Sequence, residues 1–496
     1  MRQALIVAYA AQAYIALIGF LLLPVYMDHL GPEAFGLVGF SMALQAWLQL
    51  LDLGMSSALS RELSLFRAGQ YDAVLARAKI RALEWIFGTL SVMAAGALLI
   101  GRGAIASTWF SIERLTVDEV SSCVALMAVT AALRLFGGLY RAALTGMERQ
   151  LRLNAVLSLF ATAKALGVIP VLAYVSSSPQ MFFAYQALVG ALELVALGRA
   201  FYRVMPPAPA SPLPHLAACR SMLPTAGAVA AVSFLSLVIT QLDKVLLPRF
   251  IPLSDFGRFT LVTAMAGGIL IIAGPMGQIL QPRMTILSAG QRDAELRRLY
   301  STASRLASAL FFSVGGGLAV FAEPIMWVWT GDRILAEGIA PTLTFYSLAN
   351  AIVGVLTMPY LLQFAHGNLG LHVAGSLIMT IFVVPAMYLA AASHGALGTA
   401  IVAFSANALY LVLWIPLVHH RLLPEMVFRW PLAQVAPPAA VAMAVLLIAS
   451  VLGPVGAGRL VSAAWCGAAM LAAFLAAVSI AARSEPSPGW WVLRRD

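Results

Sequence analysis

Charged residues and cysteines are both scarce in this sequence. Only 10% of its 496 residues are charged, whereas soluble proteins carry about a quarter. Its three cysteines, Cys123, Cys219 and Cys466, stand far apart and match neither a metal-ligand spacing nor a disulfide framework. The sequence also lacks a Gly-rich phosphate loop, an HExxH motif and a pair of carboxylates typical of a sugar transferase. We therefore expect neither ATP hydrolysis, nor a bound metal, nor any enzymatic activity.

Long apolar runs fill the chain instead. Hydrophobic residues make up 61% of the sequence, and about 20 consecutive apolar residues span a bilayer as a helix. The pattern predicts an all-α integral membrane protein with about 14 transmembrane helices, near residues 3–26, 37–59, 83–101, 120–140, 154–175, 181–202, 222–247, 259–281, 303–322, 340–361, 371–392, 396–418, 431–452 and 460–482. The connections are too short for a separate soluble domain.

The positive charges are distributed unevenly between the two sets of loops. Of the 31 Lys and Arg residues, 22 lie at the N-terminus, in the loops on the same side and in the tail, and six lie in the opposite loops. Positive residues stay on the cytoplasmic side, so this asymmetry places both termini in the cytoplasm. The net charge of +10 thus reflects topology and some affinity for anionic membrane lipid, and gives no reason to expect nucleic acid as a partner.

The front of the chain recurs 221 positions later. The matching pairs include Gly36/Gly257, Ala68-Gly69-Gln70/Ala289-Gly290-Gln291, Asp72/Asp293, Arg77/Arg298 and Gly146/Gly367. Many transporters consist of two such halves with the substrate between them, and an even number of helices per half makes the repeat parallel. We expect an N-terminal six-helix lobe (1–203), a cytoplasmic Pro-rich linker (204–220), a C-terminal six-helix lobe (221–420), and two additional helices with a cytoplasmic tail (421–496).

Several segments resemble a known family. LPVYMDHLGPEAFGL (23–37), LLDLG (50–54), TQLDKVLLPRFIPLSDFGRFTL (240–261), QPRMTILSAGQRDAELRRLY (281–300) and IMWVWTGD (325–332) are similar to segments of the Wzx-type oligosaccharide flippases. These proteins belong to the multidrug/oligosaccharidyl-lipid/polysaccharide export superfamily. The similarity extends over nearly the whole chain, and the motifs are more specific for the superfamily than for a substrate.

The resemblance implies two lobes around a central cavity that faces each side of the membrane in turn. The implied substrate is a polyprenyl-diphosphate-linked oligosaccharide, moved from the inner to the outer leaflet for surface polysaccharide assembly. A polysaccharide polymerase and other assembly proteins would be partners, and H⁺ or Na⁺ would be a coupling ion. With 28 Arg and three Lys suggesting a GC-rich genome, we expect a bacterial inner-membrane protein. Two alternatives stay open: an ion-coupled drug antiporter of the same superfamily, and a membrane-bound transferase acting on lipid-linked sugars.

Ionisable residues inside spans are the candidate functional residues, because each costs roughly 2.5–3.5 kcal/mol to insert. Arg134 and Arg141 lie seven residues apart in the predicted fourth helix and share a face. They could bind a diphosphate through bidentate contacts, or Arg134 could snorkel to the inner head groups while Arg141 marks topology. Lys164 and Glu193 lie deep in neighbouring spans. They form either a structural ion pair or part of a cavity that binds phosphate and exchanges a proton.

Two further groups combine polar and charged residues. Gln45, Gln49 and Asp52 form a stripe on the predicted second helix, which would either join helices or hydrogen-bond sugar hydroxyls. Asp243 and Lys244 lie near the outer end of the predicted seventh helix. Adjacent residues point about 100° apart on a helix, so we expect no strong pairing between these two. Asp243 would cap a loop, or both residues would form an outer gate or coupling site.

Overall fold

The computed structural model describes residues 2–207, 223–271, 273–454 and 456–483, and all regular secondary structure in these residues is helical. The α-helices are α1 Arg2–Leu21, α2 Leu23–Leu30, α3 Pro32–Leu48, α4 Met55–Arg67, α5 Ala73–Thr108, α6 Val117–Gly146, α7 Gln150–Leu166, α8 Val168–Tyr174, α9 Pro179–Tyr202, α10 Leu223–Phe250, α11 Leu253–Ile271, α12 Ala273–Ala289, α13 Asp293–Val320, α14 Ala322–Thr330, α15 Arg333–Ala365, α16 Gly370–Leu409, α17 Ile415–Leu422, α18 Met426–Arg429, α19 Ala436–Val451 and α20 Arg459–Arg483. A 3₁₀ turn covers Gln49–Asp52, and π-helical turns cover Tyr410–Trp414 and Trp430–Val435.

Twelve helical stretches in the described part of the chain are long and apolar enough to cross a membrane. They confirm the prediction of an all-α, multi-pass membrane protein. One of them, Gly370–Leu422, has 53 residues and covers two predicted spans; Gly395, with a φ of 56°, interrupts the helix between them. The helix Leu223–Phe250 coincides with another predicted span. The number fourteen itself stays a prediction.

The chain forms two compact units, Met1–Gly257 and Arg258–Asp496, called here the first and second unit. The boundary follows the first five residues of α11, so α10 is grouped with the first unit. Most of the predicted Pro-rich linker, from residue 208 onward, lies outside the described residues. The division into lobes 1–203 and 221–420 therefore stays a prediction.

The predicted second span is not one continuous helix. It ends in the 3₁₀ turn at Asp52, and Leu53 and Gly54 then adopt left-handed conformations with φ of 48° and 73° before α4 begins. Gly54 has no Cβ to oppose this bend, whereas Leu53 adopts it against its steric preference. Gln45, Gln49 and Asp52 all precede this break, so the polar stripe that they form stays a prediction.

Two glycines that the repeat places at equivalent positions make equivalent contacts. A methyl group on Gly36 would overlap the carbonyl oxygen of Leu253, and one on Gly257 would overlap the carbonyl oxygen of Pro32. Pro32 and Leu253 are themselves 221 positions apart and lie four residues before the two glycines. All four residues belong to the first unit. The starts of α3 and α11 thus meet through a reciprocal, pseudo-symmetric contact that only a residue without a side chain permits.

In the second unit, α19 and α20 pack against α13 over an apolar cluster that contains Ala309, Ala442 and Ala473. A row of buried polar residues on α13 adds hydrogen bonds nearby. Tyr300 Oη lies 2.7 Å from His419 Nε2, Trp430 Nε1 donates to Ser304 Oγ at 2.8 Å, and Ser308 Oγ donates to the Val435 carbonyl at 2.7 Å. The helices α19 and α20 are therefore firmly packed within the second unit.

Candidate functional site

A cavity of about 290 Å³ lies within the first unit and is called the Glu193 cavity. Its lining includes apolar side chains together with Ser41, Gln45, Thr130, Arg134, Arg141, Lys164, Gln186 and Glu193. Five of the nine candidate residues from the sequence therefore meet here. Each is carried by one of the long helices α3, α6, α7 and α9, which hold the polar groups in fixed positions inside an apolar wall.

Glu193 joins two cations from two other helices. Its Oε1 accepts a hydrogen bond from Arg141 Nη2 at 2.9 Å, and its Oε2 accepts one from Lys164 Nζ at 2.5 Å. The Glu193 side chain is only 8% exposed, while those of Arg141 and Lys164 are 27% and 29% exposed. The ion pair and the cavity, which the sequence left as alternatives for Lys164 and Glu193, thus occur together.

Arg134 lies in the same cavity but has a neutral partner. Its Nη1 donates to Gln45 Oε1 at 2.8 Å, and Gln45 Nε2 in turn donates to Ser41 Oγ at 3.1 Å. No carboxylate lies within ion-pair distance of Arg134 among the residues that the structure describes. Arg134 is exposed and forms part of the lining of this cavity.

A second cavity of about 570 Å³, the Asp52 cavity, is lined by Gln49, Asp52, Arg141, Thr145 and three serines, Ser56, Ser57 and Ser60. Arg141 borders both cavities and links them. Asp52 Oδ1 accepts a hydrogen bond from the Ser56 amide at 2.9 Å and so caps the start of α4. Gln49 and the serines surround Asp52 with amide and hydroxyl groups.

Asp243 and Lys244 line neither of these cavities. Lys244 Nζ lies 3.3 Å from Asp243 Oδ1 and 3.1 Å from the Thr240 carbonyl, which accepts its hydrogen bond. The expectation that these neighbours would not pair was wrong, because the flexible lysine side chain folds back along α10 to reach the carboxylate. A gate or coupling role for the pair stays a prediction.

The sequence analysis missed Ser41 and Gln186 as polar residues of the Glu193 cavity. Ser41 lies four residues before Gln45 on α3, and Gln186 lies seven residues before Glu193 on α9. Both spacings place the residue on the same helix face as a candidate already identified. Gln186 Nε2 donates to the Lys164 carbonyl at 3.2 Å, which ties α9 to α7. Helical spacing from the charged residues would have found both.

The Glu193 cavity has an excess of positive charge. Three cations, Arg134, Arg141 and Lys164, surround one carboxylate among its described lining residues. Such a site favours an anionic group and disfavours a cationic one. In the described part of the chain, no group of three or more His, Cys, Asp or Glu residues could hold a metal ion.

Comparisons with known proteins agree with this architecture. The family described as "Polysaccharide biosynthesis protein" matches residues 1–288. The fold is similar to that of the lipid II flippase MurJ in an inward closed conformation, with a TM-score of 0.72, 11% identity, and 97% of this chain and 99% of that chain covered. No curated protein sequence gives a significant match.

Two multidrug-type transporters share the fold as well. An inward-facing MATE family transporter of the multidrug/oligosaccharidyl-lipid/polysaccharide superfamily has a TM-score of 0.65 and 16% identity, over 82% of this chain and 94% of that chain. A MATE transporter of Vibrio cholerae has a TM-score of 0.58 and 15% identity, over 86% of this chain and 97% of that chain. At these identities the matches establish the fold alone.

Proposed function

This chain belongs to the polysaccharide biosynthesis protein family, and we propose that it is a flippase for a polyprenyl-diphosphate-linked oligosaccharide. The chain would work in a bacterial inner membrane with both termini in the cytoplasm, as the charge asymmetry of its loops favours. It would carry the glycan from the inner to the outer leaflet by alternating access, for assembly of a surface polysaccharide.

The excess positive charge of the Glu193 cavity is the observation that carries this proposal. A diphosphate is a compact anion with several acceptor oxygens, and arginine binds such groups through two parallel hydrogen bonds. Arg134 has no carboxylate partner among the described residues, and it is exposed. A cationic drug would instead meet three positive side chains and one carboxylate, which argues against the antiporter alternative.

Glu193 would keep the empty cavity stable. Arg141 and Lys164 are partly buried and would be costly without a counter-charge, which the Glu193 carboxylate provides. An arriving diphosphate offers the same kind of acceptor oxygen, so both cations could exchange a carboxylate bond for a phosphate bond. Because one set of acceptors replaces another, Arg141 and Lys164 would keep an acceptor while the anion binds and leaves.

The Asp52 cavity would accommodate sugar residues of the same substrate. Gln49 and the serines supply amide and hydroxyl groups, and Arg141 reaches this cavity as well as the Glu193 cavity. Sugar hydroxyls both donate and accept hydrogen bonds, so a lining of this type matches them. A phosphate near Arg141 would thus place the attached glycan beside Gln49.

Ion coupling would involve the same carboxylate. If a diphosphate drew Arg141 and Lys164 away, Glu193 would lose both counter-charges and would favour the protonated form. A proton taken up and released in each cycle would then couple transport to H⁺. Coupling to Na⁺ is the competing expectation, and a transport assay with separate H⁺ and Na⁺ gradients distinguishes the two.

The test is transport in liposomes that contain the purified protein and a fluorescent undecaprenyl-diphosphate disaccharide. An impermeant quencher reports which leaflet carries the glycan. We expect Arg134→Ala to lower the rate of flipping at least about tenfold, which corresponds to about 1.4 kcal/mol. Arg134→Lys should recover part of the rate, because lysine keeps the charge but loses the bidentate geometry.

Arg102→Ala is the matched control, because Arg102 is an exposed arginine outside both cavities. It should flip at the wild-type rate. A wild-type rate for Arg134→Ala would remove that residue from the site. Failure of the wild-type protein to flip the lipid, together with ion-driven export of a cationic dye, would replace the flippase by a drug antiporter.

A further inference from the structure

A third cavity, of about 460 Å³, lies entirely within the second unit and has no role in the function proposed above. It is called the Trp327 cavity. One wall is formed by the end of α13 and by α14 and the start of α15, and the other by the residues that end α19 and begin α20. The loops concerned are those that the charge pattern predicts to be on the outer side.

One specific contact joins the two walls, and another holds one of them in shape. Arg459 Nη2, at the start of α20, donates to the Val328 carbonyl in α14 at 2.7 Å. Trp465 Nε1 donates to the Ala449 carbonyl at 3.1 Å and so fixes α20 against α19. The cavity is therefore a defined feature of the fold, built jointly by the repeat and by the two helices outside it.

The lining offers polar groups of both signs next to two indole rings. Arg333 stacks on Trp327 with its Cζ atom 4.1 Å from the ring centroid, and Trp465 lies on the opposite wall. Glu323, Ser450 and Ser462 supply a carboxylate and two hydroxyl groups. Among the described residues, no ion pair joins Glu323 to Arg333, so both charged groups are available to a ligand.

This combination favours a neutral polyhydroxylated ligand. The Glu323 carboxylate would repel an anion, and the Arg333 guanidinium would repel a simple cation. Neither kind of ion could therefore interact favourably with both charged groups. A sugar hydroxyl donates to a carboxylate and accepts from a guanidinium at the same time. The apolar faces of a sugar ring can also contact indole surface, and a volume of this order is typical of small-ligand pockets.

We propose that the Trp327 cavity binds a sugar residue on the outer side of the membrane. The choice of a glycan as the ligand rests on the proposed flippase function. A sugar that has just reached the outer leaflet would be held in this cavity before the next assembly enzyme takes it. The two helices outside the repeat would then serve to complete an outer glycan site, since the six-helix repeat alone supplies only one of its walls.

Sugar binding by the purified protein tests this proposal. The protein is placed in nanodiscs of phosphatidylglycerol alone, and saturation-transfer NMR is recorded with a panel of glucose, galactose, rhamnose, N-acetylglucosamine, maltose and lactose. Each sugar is titrated to about 50 mM, a concentration that occupies even millimolar sites. We expect saturable binding of at least one sugar, weakened about tenfold or more by Glu323→Gln and by Arg333→Gln.

Two controls match these variants. Glu337→Gln removes an exposed carboxylate one helical turn after Arg333 in α15. Arg102→Gln removes an exposed arginine from the first unit. Both should bind as the wild type does. The absence of binding by the wild type, or binding that neither Glu323→Gln nor Arg333→Gln changes, would overturn the proposal.

A phospholipid head group is the competing occupant. If native mass spectrometry shows phosphatidylethanolamine retained by the wild type and lost from Glu323→Gln, and this lipid abolishes sugar binding, the cavity is a lipid site and the proposal is wrong. The assay involves no transport, so its failure leaves the flippase proposal untouched. Normal sugar binding with no flipping in liposomes would contradict the flippase function alone.

Discussion

The two copies of the repeat share a reciprocal glycine contact but differ in charge. In the first copy, Arg134 and Arg141 reach the Glu193 cavity. The residues 221 positions later are Val355 and Leu362, which are apolar and fully buried. The copies therefore retain a common scaffold, while the cationic site belongs to one of them. Charge inside a membrane is costly, so its presence in one copy points to a local function and not to a requirement of the fold.

The close contact at Gly36 and Gly257, unlike the charge, is the same in both copies. Both copies keep a glycine at this position, and each glycine packs against the backbone four residues before the other. Close approach of two backbones leaves no space for a side chain on either side, so the constraint acts equally on both copies. The two copies thus share a residue that packing requires, and they differ in the charged side chains.

The largest expected effect comes from removing the counter-charge in the first copy. Glu193→Leu leaves Arg141 and Lys164 without their carboxylate, and breaking a buried ion pair in this way costs about 3–5 kcal/mol. Because these cations are partly exposed, we expect the lower end of that range. The measurement is unfolding of the purified protein by SDS titration.

A compensating variant checks the cause of that loss. Glu193→Leu combined with Lys164→Leu removes both partners of one pair and should recover part of the stability. If the double variant is as unstable as the sum of the two single variants, Lys164 and Glu193 do not interact energetically.

Replacing either glycine of the reciprocal contact should lower the stability by a similar amount. We expect Gly36→Ala and Gly257→Ala each to destabilise the protein by about 1–3 kcal/mol, as overpacking does. Gly267→Ala is the control, because nothing lies near a methyl group at that position and the equivalent residue of the first copy is Ala46. A thermal unfolding series would measure all three, and a harmless Gly36→Ala would rule out the close contact.

The helix cap at Asp52 should have a smaller effect. Asp52→Ala removes the acceptor for the Ser56 amide, and loss of a helix cap costs about 0.5–2 kcal/mol. The equivalent residue in the second copy is Ala273, so the cap is specific to the first copy. Asp52→Asn keeps a capping oxygen and should retain stability. Equal losses in both variants would show that the negative charge matters more than the cap.

The smallest expected effect is a gain in stability at Leu53. Its left-handed conformation disfavours a side chain, and glycine relieves that strain by roughly 1 kcal/mol. Leu53 is 54% exposed, so Leu53→Gly loses little packing, and the second copy already has Gly274 at the equivalent position. A lower unfolding midpoint for Leu53→Gly would mean that the leucine side chain contributes more than the strain costs.

Most residues of the Glu193 cavity could be predicted from the sequence, but the ion pairs between them could not. The cost of intramembrane charge singled out Arg134, Lys164 and Glu193, and the structure places all three in one cavity. The sequence could not decide whether Lys164 and Glu193 pair or face a cavity. They lie on different helices, and the rotation of each helix about its axis depends on its neighbours.

Two local predictions failed for a related reason. The predicted second span, 37–59, assumed a continuous helix, but a strained left-handed turn at Leu53 interrupts it after Asp52. Helical spacing treats the backbone as regular, and it cannot register a break that surrounding packing stabilises. For Asp243 and Lys244, spacing compared the directions of the Cβ atoms and ignored the reach of the lysine side chain.

The sequence by itself determined the membrane class, the all-helical architecture, the internal repeat and the set of charged residues inside spans. These follow from hydropathy, helical period and residue identity, which can be read from the sequence without knowing which helices contact each other. Only the tertiary structure decided that Glu193 joins two cations, that Arg134 contacts Gln45, and that Gly36 meets Leu253. Those contacts join residues far apart in sequence, and they form only when packing fixes the rotation and depth of each helix.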